Sequence, residues 1–89
     1  MKEIQTTNQF LRDLKLARRR GKNLDKLETI IATLASGDKL SPRNRPHRLQ
    51  GEMKGLWECH IEPDWLLIWD ENDSAIILIR SGTHSDLFD

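Results

Sequence analysis

The stretch Leu56–Arg80, LWECHIEPDWLLIWDENDSAIILIR, decides the fold. Leu56 to Ile61 alternates in polarity and reads as a strand, Glu62-Pro63 as a turn, and Asp64 or Trp65 to Trp69 as a second strand. Asp70-Glu71-Asn72-Asp73 is a hairpin loop, and Ala75 to Arg80 a third strand. The last two runs are near-continuous rather than alternating, as expected of strands covered on much of both faces.

Upstream, the period changes. Phe10, Leu11, Leu14 and Ala17 form an amphipathic stripe that begins after Thr7 or Asn8, either a good N-cap. It ends at Arg18-Arg19-Arg20-Gly21, where cations suit a helix C-terminus and glycine can take the left-handed cap. A second stripe, Leu24, Leu27, Ile30, Ile31 and Leu34, predicts a helix from Asn23 or Leu24 to Ala35, closed by Ser36-Gly37-Asp38. So short a turn predicts two antiparallel helices. Lys2 to Thr6 reads as a first strand with Ile4 inward. Lys39 to Pro46, with two prolines, reads as an irregular loop, and Ser81 to Asp89 as a loop ending in a short turn anchored by Leu87 and Phe88. The order βααβββ predicts an α+β domain spanning residues 1–89, two helices on one face of a mainly antiparallel sheet.

Eighty-nine residues allow one small core. No apolar run approaches the length of a membrane span, and the N-terminus has no apolar signal region, which together point to a cytoplasmic protein. The lone Cys59 cannot form an internal disulfide and reads as a small buried hydrophobe on its strand. The formal charge is zero, yet residues 1–54 hold thirteen of the fourteen Lys and Arg against six acids. Residues 55–89 hold Arg80 alone against eight acids. A basic half suits a polyanion such as RNA or an acidic partner segment, although a solvated helix face gives the same count.

The candidate chemistry lies in the histidines. Alternation places Leu56, Glu58 and His60 on one strand face, opposite Trp57, Cys59 and Ile61, and groups Ile76, Leu78 and Arg80. If the helices cover the Trp57 face, His60 points to the open one, with Arg80 at a strand end and His84 four residues beyond. His60, Asp64, Arg80 and His84 can then share a cleft. Taken singly, each has a plainer reading: a structural histidine, Arg80 paired with Glu58 or Asp64, Asp64 as a turn residue, Trp65 and Phe88 as core. Metal hydrolysis fits poorly, because no tight ligand pair such as His-x-x-x-His occurs. Metal-free cleavage of RNA by its own 2′-hydroxyl needs a base, an acid and a cation on the phosphate. Histidines and an arginine supply all three.

The words His47-Arg48-Leu49-Gln50-Gly51, Lys54-Gly55, His60-Ile61-Glu62-Pro63-Asp64-Trp65-Leu66-Leu67-Ile68 and Arg80-Ser81-Gly82-Thr83-His84-Ser85-Asp86-Leu87-Phe88 resemble the RelE/ParE superfamily of bacterial toxins, its YafQ branch in particular. The resemblance implies a RelE-like fold and an mRNA endonuclease that acts on message in the ribosomal A site, where it also contacts ribosomal RNA, without metal or other cofactor. It also implies a cognate antitoxin, whose acidic segment would lie along the Arg12–Lys26 helical region, and a free toxin that is monomeric. The family's functional positions fall on His47, His60, Asp64, Trp65, Arg80, His84 and Phe88. On that resemblance His84 is the candidate acid, His60 with Asp64 or His47 the base, and Arg80 the phosphorane stabiliser. Trp65 and Phe88 would support the site or stack on a base, with Arg48 and Lys54 as further substrate-binding cations. Two departures stand out: such toxins are usually clearly basic, and Trp69 replaces a frequent tyrosine. A ParE-like gyrase poison and a non-catalytic RNA- or protein-binding module remain alternatives on the same fold.

Overall fold

A computed structural model describes all 89 residues. The chain runs β1 (Glu3–Thr6), α1 (Asn8–Arg19), α2 (Leu24–Ala35), β2 (His47–Arg48), β3 (Trp57–Glu62), β4 (Trp65–Glu71), β5 (Ala75–Gly82) and α3 (His84–Phe88), with single 3₁₀ turns at Pro42–Asn44 and Gly51–Met53. The five strands form one sheet in the order β1-β5-β4-β3-β2. β1 pairs parallel to β5, and the other three pairings are antiparallel. The expected α+β arrangement is present, with two additions. His47, expected to arrive from a loop, lies in a two-residue edge strand paired to β3. The segment after Arg80 is ordered as two more residues of β5 and then a short helix, α3.

Local signals explain the helices. Thr7 caps α1, its hydroxyl accepting from the Phe10 N–H at 3.0 Å and donating to the Ile79 carbonyl at 2.8 Å. Gly21 follows the last turn at φ +75°, the left-handed conformation that a side chain resists. In α2 the predicted stripe is inward: Leu27, Ile30 and Leu34 are buried. In α1 the phase differs. Phe10, Asp13 and Ala17 are the buried residues, whereas Leu11 is 44% exposed. A carboxylate thus occupies a place in the stripe where an apolar residue was expected.

Both helices cover one sheet face. Their side chains meet Cys59, Ile61, Trp65, Leu67, Trp69, Ile76 and Leu78 in the main core, which Trp57 closes by stacking on Trp69 at 6.1 Å. Burying each such side chain stabilises the fold by about 1.5–3 kcal/mol. The other face is covered only in part. Leu66 and Ile68 pack there with Leu87 of α3 and with Leu49, Met53 and Leu56 from the loop before β3. That half-covered face carries the polar residues of interest.

Cys59 is fully buried on the helix side, and loss of hydration, with Glu58 nearby adding to it, pushes its thiol up to about 12. We predict that iodoacetamide at pH 8 leaves the folded protein unmodified and alkylates it completely in denaturant; modification at equal rates would contradict this burial.

Candidate active site

Register aligns the candidate residues in two rows across the open face. One row runs His47, Glu58, Ile68, Arg80, and the next runs His60, Leu66, Gly82. Strict alternation would have kept Arg80 on the face of Ile76 and Leu78, which lie in the main core. A bulge corrects the phase: Trp69 opposes Leu78 while Ile68 opposes Arg80, so Ile79 is an extra residue in β5. Arg80 thereby joins the row of His47 and Glu58, and the predicted grouping of Ile76, Leu78 and Arg80 does not hold.

Three of the candidates touch. Asp64, on the β3–β4 turn, accepts from the backbone N–H of His84 at 2.9 Å and from its ring Nδ1 at 2.6 Å. The backbone bond first, then the ring, holds the Asp64 carboxyl below its usual value. With Asp64 ionised near neutrality, Nδ1 of His84 carries the proton it donates, and Nε2 faces outward. The His60 ring lies 5.6 Å from the His84 ring, tilted by 59°. Its Nδ1 donates to the Pro63 carbonyl at 3.3 Å, so Nε2 is again the free nitrogen. Two imidazoles thus lie side by side, each engaged through Nδ1 and without a protein partner at Nε2.

His84 is placed there by a well-built turn. Thr83 caps α3, accepting from the Asp86 N–H while the Asp86 carboxylate accepts from the Thr83 N–H. Arg20 grips the same carboxylate at 2.6 and 3.1 Å, and that contact first, the capping bond second, drives its pKa far below the carboxylate range. Phe88 lies one helical turn past His84 on the same side of α3 and is 49% exposed.

His47 and Arg80 are engaged elsewhere. His47 donates from Nε2 to Glu58 at 3.0 Å; Glu58 is buried, and its second oxygen has no partner in the protein. Arg80 pairs with neither Glu58 nor Asp64, the partners expected from the strands. It donates through Nε and Nη2 to Asp13 on α1, at 2.8 and 3.2 Å. Asp13 also accepts from the Ser81 N–H at 3.0 Å and from Gln9 at 3.0 Å. This contact raises the Arg80 pKa further and leaves Nη1 and the outer N–H of Nη2 for another anion.

Two expected substrate contacts are corrected. Trp65 is 1% exposed within the helix-side core, so its indole supports the site from beneath and has no face for a base. Arg48 lies over the Trp57 ring at 5.0 Å, on the helix side of the sheet rather than with His60. Lys54 is exposed at the end of the second 3₁₀ turn. Asp13 is the residue that sequence reasoning missed as a site partner; Glu58 was placed on the open face but holds His47 rather than Arg80. The only signal for Asp13 is a carboxylate three residues from Phe10 on a face that should be apolar.

Comparison with known proteins then bears on the whole chain. Residues 2–89 match the family described as the bacterial toxin of type II toxin–antitoxin system, YafQ. The chain is 36% identical over 88 residues to the mRNA interferase toxin YafQ of Escherichia coli K12, covering 98% of this chain and 96% of that one. Its fold is similar to the crystal structure of YafQ from E. coli BL21(DE3), with a TM-score of 0.94, 34% identity and full coverage of both chains. It is similar also to the E. coli DinJ–YafQ toxin–antitoxin complex, with a TM-score of 0.92, 36% identity and coverage of 99% and 98%. A metal-bound toxin from Helicobacter pylori gives 0.92 at 36% identity, over 99% of this chain and 100% of that one.

The α3 turn yields two predictions. A methyl at Gly82 would stand 2.9 Å from Cβ and Oδ2 of Asp86, a side chain that Arg20 and Thr83 do not let move. Gly82→Ala should therefore cost about 1–3 kcal/mol in denaturant unfolding and disorder His84; an unchanged midpoint would contradict that packing. Asp64 and Asp86 both have depressed folded pKa values, so their stabilising contribution is complete above the ordinary aspartate value of 3.8 and lost as pH falls through the lower folded values. By NMR the Asp64 carboxyl should titrate only below 3.8, and a midpoint at or above that value would be inconsistent.

Proposed function

The chain belongs to the YafQ family of type II toxin–antitoxin toxins, and from that membership we propose that it is an endoribonuclease that cuts mRNA by acid–base catalysis. The observation that carries the proposal is the Asp64–His84 contact with the His60 ring beside it. A pair of adjacent imidazoles, each engaged through Nδ1, suits a reaction that removes one proton and delivers another. Metal ions have no part in this scheme.

Roles follow from the hydrogen bonds. His60, its Nδ1 donating to Pro63, has an unprotonated Nε2 in the neutral ring and is the base for the 2′-hydroxyl. The oxygen then attacks the adjacent phosphorus, and the bond to the 5′-oxygen breaks. His84, protonated at both nitrogens, donates from Nε2 to that leaving oxygen while Asp64 holds the other side of the ring. Arg80 meets the charged phosphorane with the N–H groups that Asp13 leaves free. His47, with Nε2 on Glu58 and Nδ1 3.4 Å from the Arg48 carbonyl, is held at the next row and is the second choice of base. Phe88 offers an exposed ring for a base to stack on.

Each proton-transfer group contributes roughly 10²–10⁴-fold to rate. Cutting takes place on message in the ribosomal A site, where the exposed cations of α1 face ribosomal RNA. E. coli YafQ is known in complex with DinJ, and this chain is neutralised likewise by an antitoxin, through an acidic segment along Arg12–Lys26.

Induction in growing cells followed by mapping of mRNA 5′ ends should show cuts phased with codons, together with growth arrest. His84→Ala should lower cleavage roughly 10²–10⁴-fold with the fold retained. DNA damage without RNA cuts, or full toxicity of folded His84→Ala, would overturn the proposal.

A further inference from the structure

A second surface adjoins the acid–base pair. The 3₁₀ turn Pro42–Asn44, the end of β3 and the side of α2 enclose an open cleft of about 560 Å³. His60 lines it, so the cleft and the acid–base site share a wall. Asn44 ties the turn to β3 by donating to the His60 carbonyl at 2.8 Å. The next residue, Arg45, is the one non-glycine residue of the chain with positive φ, at +50°. Such a conformation costs an arginine free energy that neighbouring structure must offset.

Charge in the cleft is unbalanced. Its one carboxylate, Glu62, is already held by Lys26 at 3.0 Å and Lys22 at 3.5 Å. Arg43 and Arg45 are exposed, and neither has an acidic partner. The lining also includes Ile30, Ile61 and Pro63. Unpaired guanidinium groups beside an apolar patch match a nucleotide, whose phosphate takes the charge and whose base meets the patch.

We propose that this cleft is a subsite for the mRNA nucleotide next to the cut, with Arg43 and Arg45 holding its phosphate. The inference rests on the nuclease reading above, because the shared His60 wall makes an occupant of the cleft continuous with the strand being cut. Arg43 and Arg45 are binding residues in this account and take no part in the proton transfers.

The test pairs a protein change with an RNA change. Cleavage is measured under single-turnover conditions with increasing protein, for wild type and for Arg43→Gln/Arg45→Gln. The substrate is mRNA, ribosome-bound or free as the wild type requires. Each of the two phosphates flanking the cut is replaced in turn by an uncharged methylphosphonate. The double variant should need roughly tenfold more protein for half-maximal cleavage, with its plateau rate close to wild type. One neutral phosphate should cost the wild type a similar factor and the variant almost nothing more. Multiplying effects would overturn the subsite and assign the arginines to another polyanion such as ribosomal RNA. Wild-type cleavage by a variant that escapes its antitoxin would overturn it in favour of a protein contact. A wild type that cuts no RNA would remove the nuclease reading, and the subsite with it.

Discussion

Asp13 is the constraint around which the molecule is arranged. A carboxylate on the buried side of α1 must be satisfied inside the protein or not be there. It takes four hydrogen bonds, from Gln9, Ser81 and twice from Arg80. Those bonds fasten α1 to the far end of β5, beyond the point where β1 stops pairing. Thr7 adds a bond to the Ile79 carbonyl, the extra residue of the bulge. Helix, bulge and arginine are therefore one unit. Without the bulge, Arg80 would face the core with Ile76 and Leu78; with it, a fixed guanidinium stands at the edge of the open face.

The same economy governs the acidic half of the chain. Glu58, Glu62, Asp64, Glu71 and Asp86 each hold a cation or a histidine. Arg43 and Arg45 hold none. Neutrality of the whole chain therefore does not describe its halves, and the unpaired Arg43 and Arg45 stand in the basic one.

Much of this was legible in sequence. Period and caps located α1, α2 and the three long strands, because those signals are local. The words around His60, Asp64 and His84 identified the residues that meet. They did not identify which partner each one holds: Asp64 orients His84 rather than His60, across twenty residues, through a turn and a strand end that only the folded sheet brings together. The bulge at Ile79 was invisible because AIILIR carries no glycine or polar interruption to mark it. Asp13 was invisible because an acid between apolar residues reads as solvent-facing until the helix phase is known. Trp65 was read as supporting the site or stacking on a base, and its burial fits the supporting role.

The central claim is that the reaction runs on the 2′-hydroxyl and two imidazoles. The chemistry of the cut ends tests this directly, since attack by the 2′-oxygen and attack by a metal-activated water at the same phosphate leave different termini. RNA fragments cut by the protein, on ribosomes or on free RNA as it requires, should carry a 2′,3′-cyclic or 3′-phosphate and a 5′-hydroxyl. Fragments with a 3′-hydroxyl and a 5′-phosphate would contradict the account.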